Sequence, residues 1–357
     1  MMDESEVSLS LLEFCHQLPK VELHAHLNTS YSVDSLHELI ALGGQTGDHS
    51  IEELHISSHK EIDGSFLLFS KIQQLVRTEE AVYTLTHRVI TEFAQDNVKY
   101  LELRSTPKEI PETGMTRELY IRTMLRAVKD CEREGLDIVV RLLVSIDRRH
   151  GVKVGELTVD LAEKLMKESG GLVIGLDLSG DPRVGNAADF IPILLDAHSR
   201  GLKLAVHLAE LPLYEETKKV LRSCAAKCDL RVGHGTYLHR YDQGMGHDEM
   251  EDLVIKEKVP IEACITSNLL TMTVDNLEQH HFKYWLDKSH PVVLCTDGKG
   301  VYGSKLTEEY FKAAEAFALG KDRLKQYVVS TIDYIFDNEQ MKEQLRTQFR
   351  AAVNTLQ

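Results

Sequence analysis

Lys20-Val21-Glu22-Leu23-His24-Ala25-His26 is a short apolar, β-branched run that ends in two histidines separated by a single residue. Read as a strand over Lys20–His24, it is the first of eight such runs. The others are Val98–Leu103, Ile138–Val144, Leu172–Leu178, Leu202–His207, Leu230–Gly233, Pro260–Cys264 and Val292–Cys295. Between them lie stretches with helical spacing of apolar residues, among them Glu80–Gln95, Thr116–Glu134, Thr158–Lys167, Ala187–Ser199, Glu215–Cys224 and Glu249–Lys256. Strands alternating with helices predict repeated βα units on a parallel sheet, and eight strands close a barrel. The expected fold class is α/β, a (β/α)8 TIM barrel with extra helices in a long excursion after the first strand and in a tail after the last. Within the excursion, Gly43–Lys60 is rich in Gly, His, Ser and Thr and reads as a surface loop.

The 357 residues contain no Pro- or Ser-rich linker, so residues 1–357 read as one domain. A net charge of -15 has the wrong sign for a chain that neutralises phosphate backbones or binds anionic membranes. The six cysteines are scattered, and the acidic N-terminus lacks the basic region and apolar stretch of a signal peptide. No apolar run reaches the ~20 residues of a membrane helix. A cytoplasmic protein is expected, and with nothing in the sequence that calls for an oligomer, a monomer.

Strands buried on both faces read as apolar runs, so ionisable residues at their C-terminal ends need a reason. In a barrel these ends converge on the face that carries active sites. The first strand ends in His24-Ala25-His26, whose alternation puts both imidazoles on one side. The fifth ends in His207, with Glu210 three residues on, the sixth in His234, and the eighth in Cys295-Thr296-Asp297. A lone His-x-His is more often a hydrogen-bonded strand end, and His280-His281 shows how readily pairs arise among 17 histidines. Four such ends together point instead to a divalent metal ion. Imidazole and carboxylate donors without thiolate leave a coordination position open, as catalytic sites require. A metal-bound water has a pKa near ~7, which makes hydrolysis the natural chemistry. Glu210 is then placed to protonate the group under attack, and His234 to orient or deprotonate the water.

Other motifs carry less. Gly298-Lys299-Gly300-Val301-Tyr302-Gly303-Ser304-Lys305 has its Lys and Ser in the wrong order for a phosphate loop. Cys224 and Cys228 lack a second pair and read as reduced thiols, and His37-Glu38 lacks the Cys partners of a cytidine-deaminase zinc site. Arg148-Arg149-His150 reads as a solvated turn after Asp147, which ends the third strand.

Longer motifs carry a family resemblance: Leu18 to Asn28, Tyr100-Leu101-Glu102-Leu103-Arg104-Ser105-Thr106-Pro107-Lys108, Ser145 to Arg149, Gly175 to Pro182, and Cys264-Ile265-Thr266-Ser267-Asn268. The chain is similar to the adenosine/AMP deaminase family of metal-dependent amidohydrolases, and within it to the adenosine deaminase-like branch that acts on N(6)-methyl-AMP. The resemblance implies one Zn2+ per chain on His24, His26, His207 and Asp297. It also implies Glu210 as proton donor to the purine, His234 with Asp297 handling the proton of the attacking water, and the Gly180 N–H on the purine. The substrate would be N(6)-methyl-AMP or a related N6-substituted purine monophosphate, with IMP and an amine as products. Further contacts are expected from His26, Gln73, Pro107, Asp147 and Gly298.

Asn28 stands where nucleoside-acting members have an Asp. A carboxylate ~4 Å from a phosphate charge would cost about 4 kcal/mol per charge pair at an effective dielectric of ~20. Asn removes that repulsion and favours a 5′-monophosphate, with Ser105, Thr106 and Lys108 as the remaining phosphate contacts. Plain adenosine deaminase activity is the alternative that Asn28 argues against. Three positions depart from the family pattern: Thr29 for Gly, Gln73 for His, and Gly298 for the Asp that would bond the purine. Losing one charge-assisted hydrogen bond costs about 1.5–3 kcal/mol. A catalytically weakened zinc- and nucleotide-binding homologue is therefore the alternative of a different class, and restoring Asp at 298 is the discriminating change.

Overall fold

The computed structural model describes residues 4–43, 69, 71–239 and 248–356. It contains one sheet of eight strands in sequential order. These are β1 Lys20–His26, β2 Val98–Ser105, β3 Val139–Asp147, β4 Val173–Ser179, β5 Lys203–Leu208, β6 Leu230–His234, β7 Ile261–Ala263 and β8 Val292–Leu294. Every neighbouring pair is parallel. The ends meet beyond β8, where Asp297 N–H donates to His24 O at 2.8 Å and His26 N–H to Asp297 O at 2.9 Å. The barrel thus closes through the backbone of three of the expected metal ligands.

Alternation along β1 shows what the sheet separates. Val21, Leu23 and Ala25 are fully buried, and so are Glu22 and His24. The apolar set packs under the surrounding helices, while Glu22 and His24 meet polar residues of other strands inside the barrel. Helices Glu79–Gln95, Arg117–Arg133, Ile191–Ser199, Tyr214–Cys224 and Asp248–Glu257 lie close to their expected bounds. The first two are capped by Thr78 and Thr116, whose hydroxyls accept the N–H of Ala81 and Leu119. Helix Val152–Glu168 starts six residues earlier than the apolar spacing suggests. Gly155, a poor helix former, masks the start, and an added Cβ there would already lie 3.1 Å from Ile193. Short helices Ile265–Leu270 and His281–Asp287 carry no periodicity long enough to read. Three helices follow β8: Leu306–Ala316, Lys321–Thr331 and Glu339–Thr355. Of the loop read over Gly43–Lys60, all but Gly43 lies outside the described residues. No helix among those described is long and apolar enough to cross a membrane.

Candidate active site and metal centre

The ionisable strand ends converge on the C-terminal face of the barrel. Ligand atoms of His24, His207 and His234 lie within 4.8 Å of one another, as do those of His24, His26 and Asp297. Two of these residues sit on unusual backbone: His234 has φ 63° and Asp297 φ 62°. Such left-handed conformations cost about 1–3 kcal/mol for a non-glycine residue and persist where surrounding bonds impose them. For Asp297 those bonds are the two that close the barrel.

Hydrogen bonds on the far side of each ring decide which nitrogen faces the cluster. His24 Nδ1 lies 2.8 Å from Glu262 Oε2, which leaves Nε2 aimed inwards, buried and with no hydrogen-bond partner among the described residues. His207 Nδ1 donates to Leu178 O and faces Asp177 Oδ1, each at 3.1 Å. Its Nε2 is then a bare lone pair 3.2 Å from His26 Nε2. Asp297 Oδ1 stands 3.7 Å from His24 Nε2 and 3.6 Å from His26 Nε2, while its Oδ2 accepts from Ser267 Oγ at 2.7 Å. Lone pairs and a carboxylate directed at one point attract a cation, and the carboxylate or carbonyl behind each imidazole is the usual support of a metal ligand. The residues therefore fit a divalent ion held by His24, His26, His207 and Asp297. Burial keeps His24 and His234 neutral, pushing both well below the usual imidazole range, and pushes His26 down to about 3. Asp177 overrides burial at His207 and holds that pKa up.

Glu210 lies just past β5, with Oε1 3.8 Å from His234 Nε2. Burial raises its pKa to about 7, so it carries a proton near neutrality, as a general acid must. Burial likewise lifts Asp297 to about 6, against the hydrogen bond from Ser267.

Beneath the ligands lies a layer of paired charges that the strand-end reading missed. Arg104 donates to Asp177 at 3.0 Å and to Glu262 at 2.9 Å. Arg231 donates to Glu262 at 2.7 Å and to Glu102 at 2.5 Å, and all five side chains are buried. The signal was present as charges two residues apart in otherwise apolar strands, Glu22 and His24, then Glu102 and Arg104.

Above the ligands opens a cavity of about 640 Å³ lined by His26, Asn28, Gln73, Ser105, Thr106, Pro107, Lys108, Asp147, Gly180 and Glu210 among others. Tyr120, on helix Arg117–Arg133 and absent from the sequence reading, ties three of these together. Its hydroxyl is 2.9 Å from Ser105 Oγ and 3.3 Å from Asn28 Nδ2, and Lys108 Nζ is 6.0 Å from its ring centre. Lys108 Nζ is buried without a hydrogen-bond partner among the described residues, and burial pushes its pKa down to about 7, Arg77 adding to the effect. Gly180, in the cavity wall, has φ 102°, and any Cβ there would run into the Asp147 carboxylate, so only glycine fits. Asp147 itself accepts from Arg149 N and Nε at 3.0 and 2.9 Å. Arg148 is not solvated as expected, because Glu216 pairs with it at 2.8 Å in a buried contact.

Gly298 does not line the cavity, whereas Thr29 does. A Cβ at 298 would lie 2.6 Å from Thr29 Oγ1 and 2.7 Å from its Cβ. Two of the three departures from the family pattern thus touch each other: threonine fills the space that a side chain at 298 would enter. Lys299 is held by Glu92 rather than presented to a ligand, and Cys224 and Cys228 are free thiols.

An eight-stranded barrel with imidazoles and carboxylates gathered at its C-terminal face defines an amidohydrolase-type enzyme. The chain belongs to the adenosine deaminase family, whose profile matches residues 19–352. It is accordingly a hydrolytic deaminase acting on a C–N bond of a purine. Two relatives named N6-Methyl-AMP deaminase are similar over nearly the whole chain. The Danio rerio protein is 46% identical over 93% of this chain and 94% of its own, and the Mus musculus protein 43% over 94% and 92%. A crystal structure of Arabidopsis ADAL complexed with IMP superposes with a TM-score of 0.85 at 32% identity, covering 97% of this chain and 100% of the other.

Proposed function

We propose that the protein converts N(6)-methyl-AMP and water to IMP and methylamine, with one zinc ion held by His24, His26, His207 and Asp297. The observation that carries the reading is Lys108 Nζ, buried in the wall of the cavity above the metal site with no hydrogen-bond partner among the described residues, next to Tyr120, which bonds Asn28 and Ser105. A buried amine with no counter-charge among the described residues is held as a cation by a bound anion, and an Asn in place of a carboxylate accepts that anion without repulsion. Thr106 and Pro107 complete that wall. The relatives named for N6-methyl-AMP and the Arabidopsis structure with IMP support the same substrate class.

When bound, the zinc ion supplies Lewis acidity that brings a water into the pKa range near ~7. Gly180 N–H and Gln73 orient the purine so that carbon 6 faces the cluster. Glu210 gives its proton to the ring nitrogen beside that carbon as the water oxygen bonds to it. The bond to the exocyclic nitrogen then breaks as the attacking oxygen becomes the carbonyl and gives up both its protons, one restoring the Glu210 acid and one passing to methylamine as it leaves. His234 and Asp297 flank the attacking oxygen. No element of this scheme involves a membrane or nucleic acid; the reading is of a monomeric cytosolic enzyme.

Amine release from zinc-loaded protein, compared across N(6)-methyl-AMP, AMP, N(6)-methyladenosine and adenosine, tests it. Turnover is expected on the methylated monophosphate above all; a preference for adenosine would sink the phosphate argument.

A further inference from the structure

The direction of a chain of hydrogen bonds behind His234 can be followed from a donor that cannot be reversed. Phe282 N–H, at the start of helix His281–Asp287, points at His280 Nδ1 at 3.1 Å. A backbone N–H only donates, so His280 Nδ1 bears no proton and its Nε2 does. Burial reinforces this neutral state by pushing the His280 pKa down to about 3. His280 Nε2–H lies 3.2 Å from the Asn268 side chain, which must therefore present its oxygen there. The Asn268 NH2 group is left to serve the opposite side, where His234 Nδ1 and Thr273 Oγ1 each lie at 3.3 Å. Thr273 spends its own proton on Asn268 O at 3.2 Å, so its oxygen is free to accept. His234 Nδ1 accepts as well, and its proton sits on Nε2, the nitrogen that faces Glu210.

The neighbouring histidine strengthens the arrangement from another direction. His281 Nε2 donates to His234 O at 2.8 Å, which holds the residue in its left-handed backbone conformation. His280 and His281 stack with ring centres 4.3 Å apart. The pair that looked accidental in the sequence thus supports one residue twice, through its ring and through its carbonyl.

We propose that the His280–Asn268 pair fixes His234 as the Nε2–H tautomer, so that His234 donates a hydrogen bond to the attacking oxygen and does not take its proton. His280 and Asn268 are positioning residues: they touch no substrate and act through His234. The proton lost by water then goes to a carboxylate at the cluster, Asp297 or Glu210. This assignment rests on the reading given under Proposed function, since it needs an attacking oxygen at that spot, but the tautomer itself can be observed without turnover.

The test is a nitrogen-15 spectrum of zinc-loaded protein labelled in its histidine rings, with the His234 signals assigned by their loss in His234→Gln. A protonated Nε2 and a bare Nδ1 at His234 are expected. A protonated Nδ1 would overturn the proposal. Asn268→Asp places an acceptor on both sides and draws the proton to Nδ1; its kcat should fall about 10- to 100-fold at little changed KM, the range seen when the partner behind a site imidazole is altered. His280→Gln keeps a donor towards Asn268 and should retain most of the activity, whereas His280→Phe should lose as much as Asn268→Asp. Equal kcat for Asn268→Asp and the parent, with the tautomer reversed, would also overturn it. If no purine is turned over yet the Nε2–H signal is present and vanishes in Asn268→Asp, the substrate reading fails and the tautomer assignment stands.

Discussion

Two charged layers share the interior of this barrel and behave oppositely. In the lower one, Asp177, Glu262 and Glu102 each meet a guanidinium of Arg104 or Arg231 at 2.5–3.0 Å. In the upper one, His24 Nε2 has no hydrogen-bond partner among the described residues and the Nε2 atoms of His26 and His207 face each other across 3.2 Å. Satisfied charges build a platform; unsatisfied lone pairs gathered together make a binding site. The layers are also linked. Three carboxylates against two guanidiniums leave negative charge over, and it is delivered upwards, through Glu262 to His24 and through Asp177 to His207. That contact fixes the ring orientation and raises the basicity of each candidate ligand.

The largest effect that sharpens the contrast belongs to the upper layer. Glu210→Gln should lower kcat by about 10²- to 10⁴-fold, the range for a lost general acid, with metal content and folding unchanged. Turnover and zinc content measured on one preparation check this, and a variant that also lost its zinc would show Glu210 to be a ligand instead. The converse holds below. Arg104→Met strands Asp177 without a guanidinium, leaves Glu262 only that of Arg231, and should cost about 3–5 kcal/mol of stability by urea denaturation, the usual range for removing one partner of a buried ion pair. Activity lost without that destabilisation would mean that the platform is not structural.

The upper layer was legible in the sequence because its residues end strands, where a histidine or aspartate is out of place among Val, Leu and Ile. The eight strands were legible for the same reason, by contrast with their surroundings. The platform was harder to see, since Glu102 and Arg104 differ from ordinary solvated charges only by alternating within a strand that proves buried on both faces. Tyr120 could not be found at all, because it lies on a helix whose spacing marks it simply as core. His280 and Asn268 lie on short elements, and their role depends on hydrogen-bond directions that only three-dimensional placement supplies.

A third test sits at the cavity wall, where Lys108 Nζ, like His24 Nε2, is buried with no hydrogen-bond partner among the described residues. Lys108→Ala should reduce kcat/KM on the monophosphate by about 10- to 150-fold, the value of one charged hydrogen bond, and leave the nucleoside unaffected. The sign of the pH dependence follows from its lowered pKa of about 7. Above that pH the free protein holds a neutral amine, and the phosphate must recruit a proton to gain its partner. IMP affinity should therefore fall as pH rises through 7 to 8, by up to about tenfold per unit, while inosine affinity stays level. Calorimetry in two buffers of different ionisation enthalpy should detect the proton taken up with IMP.

The smallest expected effect concerns Thr29 and Gly298, where family resemblance alone suggests that restoring an aspartate should help. The packing says otherwise. A Cβ at 298 would meet Thr29 Oγ1 at 2.6 Å, and Thr29 is pinned from both ends: its hydroxyl donates to His26 O at 3.2 Å, and its carbonyl accepts from Gly300 and Val301 at 3.0 and 3.1 Å. Gly298→Asp alone should therefore be an overpacked variant, losing about 1–3 kcal/mol and pushing on the Asp297 ligand beside it. Thr29→Gly alone opens a gap and should cost less. The double variant should recover stability and turnover relative to Gly298→Asp, giving a favourable coupling of about 1 kcal/mol or more in a double-mutant cycle, within the range for residues in contact. A gain in turnover from Gly298→Asp alone, equal to that of the double variant, would show that the two positions do not share space. It would also return the weight to the missing carboxylate as a weakness of this site.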